Sequence, residues 1–178
     1  MFFIPGFLIS IVTFPGVIVH EAAHMLFCRL RGLAVLDVCF FRVGNPAGYV
    51  IHEETDDFNT ALLVSVGPLI VNSILCVVFC FPAFVPVRVF GRSDPLSYVL
   101  LWLGISIGMH AFPSTHDAKN VWRLARQQAR NLKPLVLLSF PLVIAIYTAN
   151  LLSVVWFDYL YGFALGLLLP EYLFKLLV

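Results

Sequence analysis

The run from Ala61 to Val87 contains no charged residue, and it is one of several such stretches in the chain. A bilayer core of about 30 Å asks for roughly 20 apolar residues per helical crossing, and runs of this length answer that demand. Met1 to Val19 is likewise uncharged, and its apolar character continues through Cys28 apart from His20, Glu21 and His24. No basic residue precedes that run and no small-residue cleavage site follows it, so it is expected to stay in the mature protein. Leu96 to Phe112 is a third run, and from Pro134 onward only Asp158, Glu171 and Lys175 are charged. As helix that last stretch would reach about 68 Å, enough for two crossings, with a reversal expected between Asn150 and Asp158.

The composition agrees. Of 178 residues, 61% are apolar and 12% charged, against about 45–50% and 25% in soluble domains. Seventeen residues are Phe, and the mean hydropathy is +0.95. These values exclude a soluble globular domain, a disordered segment and a nucleic-acid binder, and the net charge of +1 singles out no partner. The expected fold is a single all-α polytopic membrane domain over 1–178, about five transmembrane helices at 2–28, 61–85, 96–112, 134–152 and 157–176, with a small cytoplasmic-side β-hairpin.

Lys and Arg favour the cytoplasmic side. Arg29, Arg31 and Arg42 follow the first span, and Lys119, Arg123, Arg126, Arg130 and Lys133 follow the third, whereas only Arg88 and Arg92 follow the second. This predicts a multi-pass protein with its amino terminus outside and the segments 29–60 and 113–133 on the cytoplasmic face. Val35 to Val43 and Tyr49 to His52 are rich in β-branched and aromatic residues around Gly44-Asn45-Pro46-Ala47-Gly48, which predicts a hairpin over 35–52. Val121, Trp122, Ala125, Ala129 and Leu132 recur at helical spacing, which predicts a basic amphipathic helix over 118–131 suited to an anionic leaflet.

The sharpest chemical signal is His20-Glu21-Ala22-Ala23-His24. Histidines four residues apart lie on one helix face, one turn apart, and can present nitrogens to one ion. Glu21 stands beside the first of them, where its carboxylate can take a proton from a water on the metal. In an apolar span such ionisable groups cost about 2.5–3.5 kcal/mol each, so they persist where they serve a site or line a polar cavity. His20 precedes Arg29 by about 14 Å of helix, which sets the ion below the membrane surface. A hydrolytic zinc site needs a third protein ligand and an open position. Pro113 breaks the third span near a polar stretch, so His110, His116 and Asp117 are the candidates. Ser114 and Asp117 also read as a capping pair for the following helix.

This order of motifs resembles the core of the site-2 protease family of intramembrane zinc metalloproteases: HEAAH late in an apolar run, the hairpin around Gly44 to Gly48, then Val66-Gly67-Pro68-Leu69-Ile70-Val71-Asn72 in the next span. The likeness covers roughly residues 14 to 120. It implies one zinc ion held by His20, His24 and Asp117, with Glu21 as general base and peptide-bond hydrolysis in a membrane-protein or peptide substrate. The family's usual Asn, Pro-rich turn and Leu-Asp-Gly are altered here: His110 stands near the Asn position, His116 precedes the Asp and Ala118 replaces the Gly. His116 therefore stays open as the ligand, with Asp117 orienting it.

A substrate helix hides its carbonyls and must be unwound before attack. An edge strand could hold it extended, which makes Phe41, Val43, Gly48 and Val50 candidate contacts, unless the hairpin simply plugs the mouth of the bundle. For Gly67, Pro68 and Asn72, substrate binding and an interhelical hydrogen bond are both open. Cys76 and Cys80 read as small apolar residues rather than a soft metal pair, and Cys28 and Cys39 as reduced thiols. His52 reads as a solvated loop residue. Regulation is expected from a membrane partner or from substrate trimming. The competing expectation is a noncatalytic metal-binding membrane protein: a transporter subunit, a sensor or a degenerate-protease scaffold.

Overall fold

The computed structural model describes residues 6–92, 94–129, 134–153 and 156–177. Residues 2–5 of the first expected span and the end of the amphipathic segment at 130–131 lie outside them. The chain is mostly helical: α1 (Gly6–Val12), α2 (Phe14–Leu30), α3 (Phe58–Phe84), α4 (Pro95–Met109), α5 (Thr115–Gln128), α6 (Pro134–Leu152), α7 (Phe157–Phe163) and α8 (Leu169–Leu177). A π-helical turn at Val85–Val89 extends α3, and another at Ala164–Leu168 joins α7 to α8. Between α2 and α3, β1 (Val35–Cys39) pairs antiparallel with β2 (Tyr49–His52), Cys39 opposite Tyr49 and Val35 opposite His52.

Among the described residues two helices, not about five, are long and apolar enough to cross a bilayer: Phe58–Val89 and Pro134–Leu152. The first apolar run is cut at Thr13, because Pro15 lacks the N–H that would bond Ile11 and its ring crowds the preceding turn. Trp102 Nε1 donates to the Val12 carbonyl at that break, 3.1 Å away. The helix α4 has 15 residues, about 23 Å, short of a full crossing. The last run carries Asp158, Glu171 and Lys175. Only 33% and 28% of the two candidate spans' most apolar windows are buried, whereas the core helix of a soluble protein is buried over most of its length. Along α3, Ile70, Ile74 and Val78 form an exposed apolar stripe at four-residue spacing.

The amphipathic segment folds as expected in type but not in partner. Ala118, Val121, Leu124 and Ala125 of α5 are buried against Phe58 of α3 and Val136, Val143 and Ile146 of α6, so the apolar face is taken by protein rather than by a leaflet. Periodicity predicts an apolar face without saying what covers it.

A second seam joins α3, α4 and α7. Cys76 and Cys80, fully buried, lie against Gly104 and Gly108 of α4, Gly162 of α7 and Gly166 of the π-helical turn that follows it. A Cβ on Gly108 would stand 2.7 Å from Cys76 Sγ and 3.1 Å from the Gly162 Cα. Both glycine pairs follow the small-xxx-small pattern of close helix contact in membranes. The thiols therefore act as packing residues, and all four cysteines are free.

Candidate metal centre

The helix α2 runs antiparallel to α3, and its His20 and His24 face both α3 and the end of α4. His20 Nδ1 donates to the His110 carbonyl at 2.7 Å, and His24 Nδ1 donates to the Val64 carbonyl at 3.0 Å. A carbonyl only accepts, so both imidazoles carry their proton on Nδ1 and leave a lone pair on Nε2. The two Nε2 atoms then face each other at 3.1 Å. Two lone pairs at that distance repel unless something positive lies between or beside them. Tetrahedral zinc with Zn–N bonds of about 2.0–2.1 Å sets its ligands roughly 3.3 Å apart.

Asp117 sits in the first turn of α5. Its Oδ2 accepts from the Ser114 N–H at 3.0 Å and the Ser114 hydroxyl at 2.6 Å, while the Asp117 N–H donates back to Ser114 Oγ at 3.2 Å. This capping box holds the carboxylate in place, and the same Oδ2 lies 3.7 Å from His24 Nε2. The capping reading of Asp117 is met, and the capped carboxylate stands beside His24. Among the described residues no three His, Cys, Asp or Glu side chains close into a complete metal cage; the imidazole pair with its converging lone pairs is the part that fits a cation.

Glu21 is buried, and the hairpin passes directly over it: a Cβ on Gly48 would stand 2.7 Å from Glu21 Cγ. Only a glycine lets the strand come this close. Glu21, His20, His24 and Asp117 share a cavity of about 560 Å³ whose roof is the segment Asn45–Val50. Tyr49 in that roof donates its hydroxyl to Asp37 Oδ2 at 3.0 Å, and the bond pushes the phenol's pKa up.

The other sequence candidates divide. Gly48, Val50 and His116 line the cavity, His116 as an exposed residue at its rim. Phe41 and Val43 do not: Phe41 packs on Phe14 with ring centroids 5.8 Å apart, and Val43 is exposed. His110 lines the cavity but turns Nε2 to Thr13 Oγ1 at 2.8 Å. The Thr13 hydroxyl is already donating to the Ile9 carbonyl, so His110 is the donor, and its carbonyl rather than its ring serves His20. Gly67, Pro68 and Asn72 lie outside the cavity; Gly67 is pressed against Phe27, and Asn72 has no exposed surface.

Three wall residues went unread in the sequence as parts of the site. His52 is in β2 rather than a free loop, its Nδ1 donating to the Glu53 carbonyl at 2.8 Å. Asn150 donates to the Pro113 carbonyl at 3.0 Å, steadying the turn that carries Asp117. Asp158 faces the same cavity from α7. An amide and a carboxylate near the ends of two apolar helices were the available signal. Compared with protein-family models, curated proteins and solved structures, the chain matches none.

Proposed function

We propose that the chain is a membrane-embedded zinc endopeptidase of the site-2 protease kind, hydrolysing a peptide bond in or near a transmembrane segment of its substrate. The observation that carries this reading is the pair of Nε2 lone pairs facing each other at 3.1 Å, with Glu21 and Asp117 on the same cavity. His20, His24 and Asp117 would hold one Zn²⁺, which supplies Lewis acidity for activating water and polarising a carbonyl. Glu21 takes the proton of the attacking water and delivers it to the leaving nitrogen. The roof segment from Gly48 into β2 offers main-chain groups to an extended peptide directly above that carboxylate.

The membrane placement follows from charge. Arg29 and Arg31 end α2, Arg31 Nε donates to Thr60 Oγ1 at 3.0 Å, and Lys119, Arg123 and Arg126 lie on α5 beside the same end of α3. By the positive-inside tendency this end, with the cavity and hairpin, faces the cytoplasm, and the amino terminus lies on the other side. Phe58–Val89 and Pro134–Leu152 are the two helices long enough to span by themselves; this arrangement also needs α1–α2 and α4 to carry the chain from one side to the other.

One observation favours a second reading. Asp117 Oδ2 already accepts two bonds from Ser114, which suits a noncatalytic protein whose ion is held chiefly by the histidine pair. Zinc content and cleavage of labelled casein and single-pass membrane proteins by purified protein, beside Glu21→Gln, separate the two. The protease reading expects one zinc in both proteins and a rate lowered about 10²–10⁴-fold in the variant. Zinc in an inert wild type points to the second reading, and zinc retained in Asp117→Ala but lost in His116→Ala hands the third position to His116.

A further inference from the structure

Two residues of α3, Pro68 and Asn72, stand one turn apart on the face that meets α2, and both are fully buried. Neither reaches the cavity, yet each is one step from a histidine. Pro68 has no N–H, so the carbonyl four residues before it, that of Val64, loses its helical partner. That is the carbonyl to which His24 Nδ1 donates at 3.0 Å.

Asn72 works through α4. Its Nδ2 lies 3.0 Å from the His110 carbonyl, 3.1 Å from the Ile107 carbonyl and 3.4 Å from the Gly16 carbonyl. Three carbonyls around one end of the amide decide which atom is the nitrogen. The His110 carbonyl lies past the last turn of α4, where no helical N–H reaches it, and it accepts His20 Nδ1 at 2.7 Å as well. Asn72 Oδ1 is left buried without a partner. Such an atom is costly to keep, which marks the amide as held for what its nitrogen does.

We infer that α3 sets the tautomers of both histidines, Pro68 by freeing the Val64 carbonyl for His24 and Asn72 by fixing the His110 carbonyl for His20, so that both Nε2 lone pairs converge. Pro68 and Asn72 are positioning residues. Their consequence for metal affinity rests on the zinc reading above; their effect on the rings does not.

The test uses the full chain in detergent, metal-free, with ¹⁵N-labelled histidine, and reads ring nitrogen shifts together with thermal unfolding and zinc affinity. In the wild type both rings are expected as Nδ1–H. Pro68→Ala restores an N–H that competes for the Val64 carbonyl, so His24 should become a tautomer mixture. Zinc binding should weaken about 10–100-fold, the usual cost of losing an outer partner. Unfolding should stay level or rise, because a helix-interior proline has been removed. A residue that only held the fold together would show stability and affinity falling as one. Asn72→Leu should disturb His20 and leave His24 as it was; if that variant does not fold, Pro68→Ala still decides. Unchanged ring shifts in the folded variants overturn the inference whatever zinc does. Shifted rings in a protein that binds no zinc uphold it and overturn the metal reading alone.

Discussion

In its first half, as far as Asn72, α3 meets α2 and the end of α4 through hydrogen bonds that terminate on backbone carbonyls: Val64, Gly16, Ile107 and His110 all accept from side chains. In its second half the same helix meets α4, α7 and the π-helical turn after α7 through Cys76 and Cys80 pressed on Gly104, Gly108, Gly162 and Gly166. Directional bonds fix where an atom points, which a converging pair of lone pairs requires. Close van der Waals contact fixes how near two backbones come, and in an apolar solvent it is a main source of helix association. The two halves therefore divide the work: one aims the imidazoles and the other holds the helices that carry them.

The glycine seam should be the easier half to destroy. In Gly108→Val the new Cβ meets Cys76 Sγ at 2.7 Å and the Gly162 Cα at 3.1 Å, and a backbone atom cannot rotate away. A loss of about 3 kcal/mol is expected, the upper part of the usual overpacking range, read as aggregated protein on size exclusion or an early unfolding transition. A variant as stable as the wild type would mean the seam is looser than these distances imply. Cys80→Ala sharpens the contrast: removing one buried sulfur should cost about 1 kcal/mol, by analogy with deleting a buried methyl, and leave zinc stoichiometry untouched. Zinc lost on that substitution would make the thiol pair a second metal site and erase the division.

The same division governs what could be read beforehand. The pairing of His20 with His24 is local, and spacing alone delivers it. Pro68 freeing a carbonyl is local too, but its recipient, His24, lies 40 residues away, and no periodicity connects them. The break at Thr13 had a signal, a Thr before a Pro in the first turn of α2. It was masked because the apolar run continues across it, and apolar run length does not reveal whether the helix inside is straight. That break takes the first of the five expected crossings out of the set of helices long enough to make one. The glycine pairs Gly104/Gly108 and Gly162/Gly166 were also visible as a pattern, though the cysteines opposite them were not. The leaflet expected under α5 became α6, since an apolar face is equally served by lipid and by protein.

The smallest expected effect tests the polar half at its outer edge. Asp57 caps α3, accepting from the Thr60 N–H at 3.0 Å and the Thr60 hydroxyl at 2.6 Å, with Arg31 Nη2 at 3.3 Å. The Thr60 hydroxyl bond first, then the Thr60 backbone bond, hold its carboxyl below the ordinary Asp range. A pKa depressed in the folded state contributes stability that is present above the unfolded value of about 3.9 and is lost as pH falls through the folded one. Because the side chain is exposed, Asp57→Ala should cost only about 0.5 kcal/mol at neutral pH, the low end for a lost cap. The difference between wild type and variant unfolding should hold from pH 7 to about 5 and narrow below about 4, as the carboxylate takes up its proton first in the unfolded chain and then, at lower pH, in the folded one. A difference that stays constant to the lowest pH the fold tolerates would show that the cap acts through shape alone. A difference that widened on acidification would reverse the assigned sign.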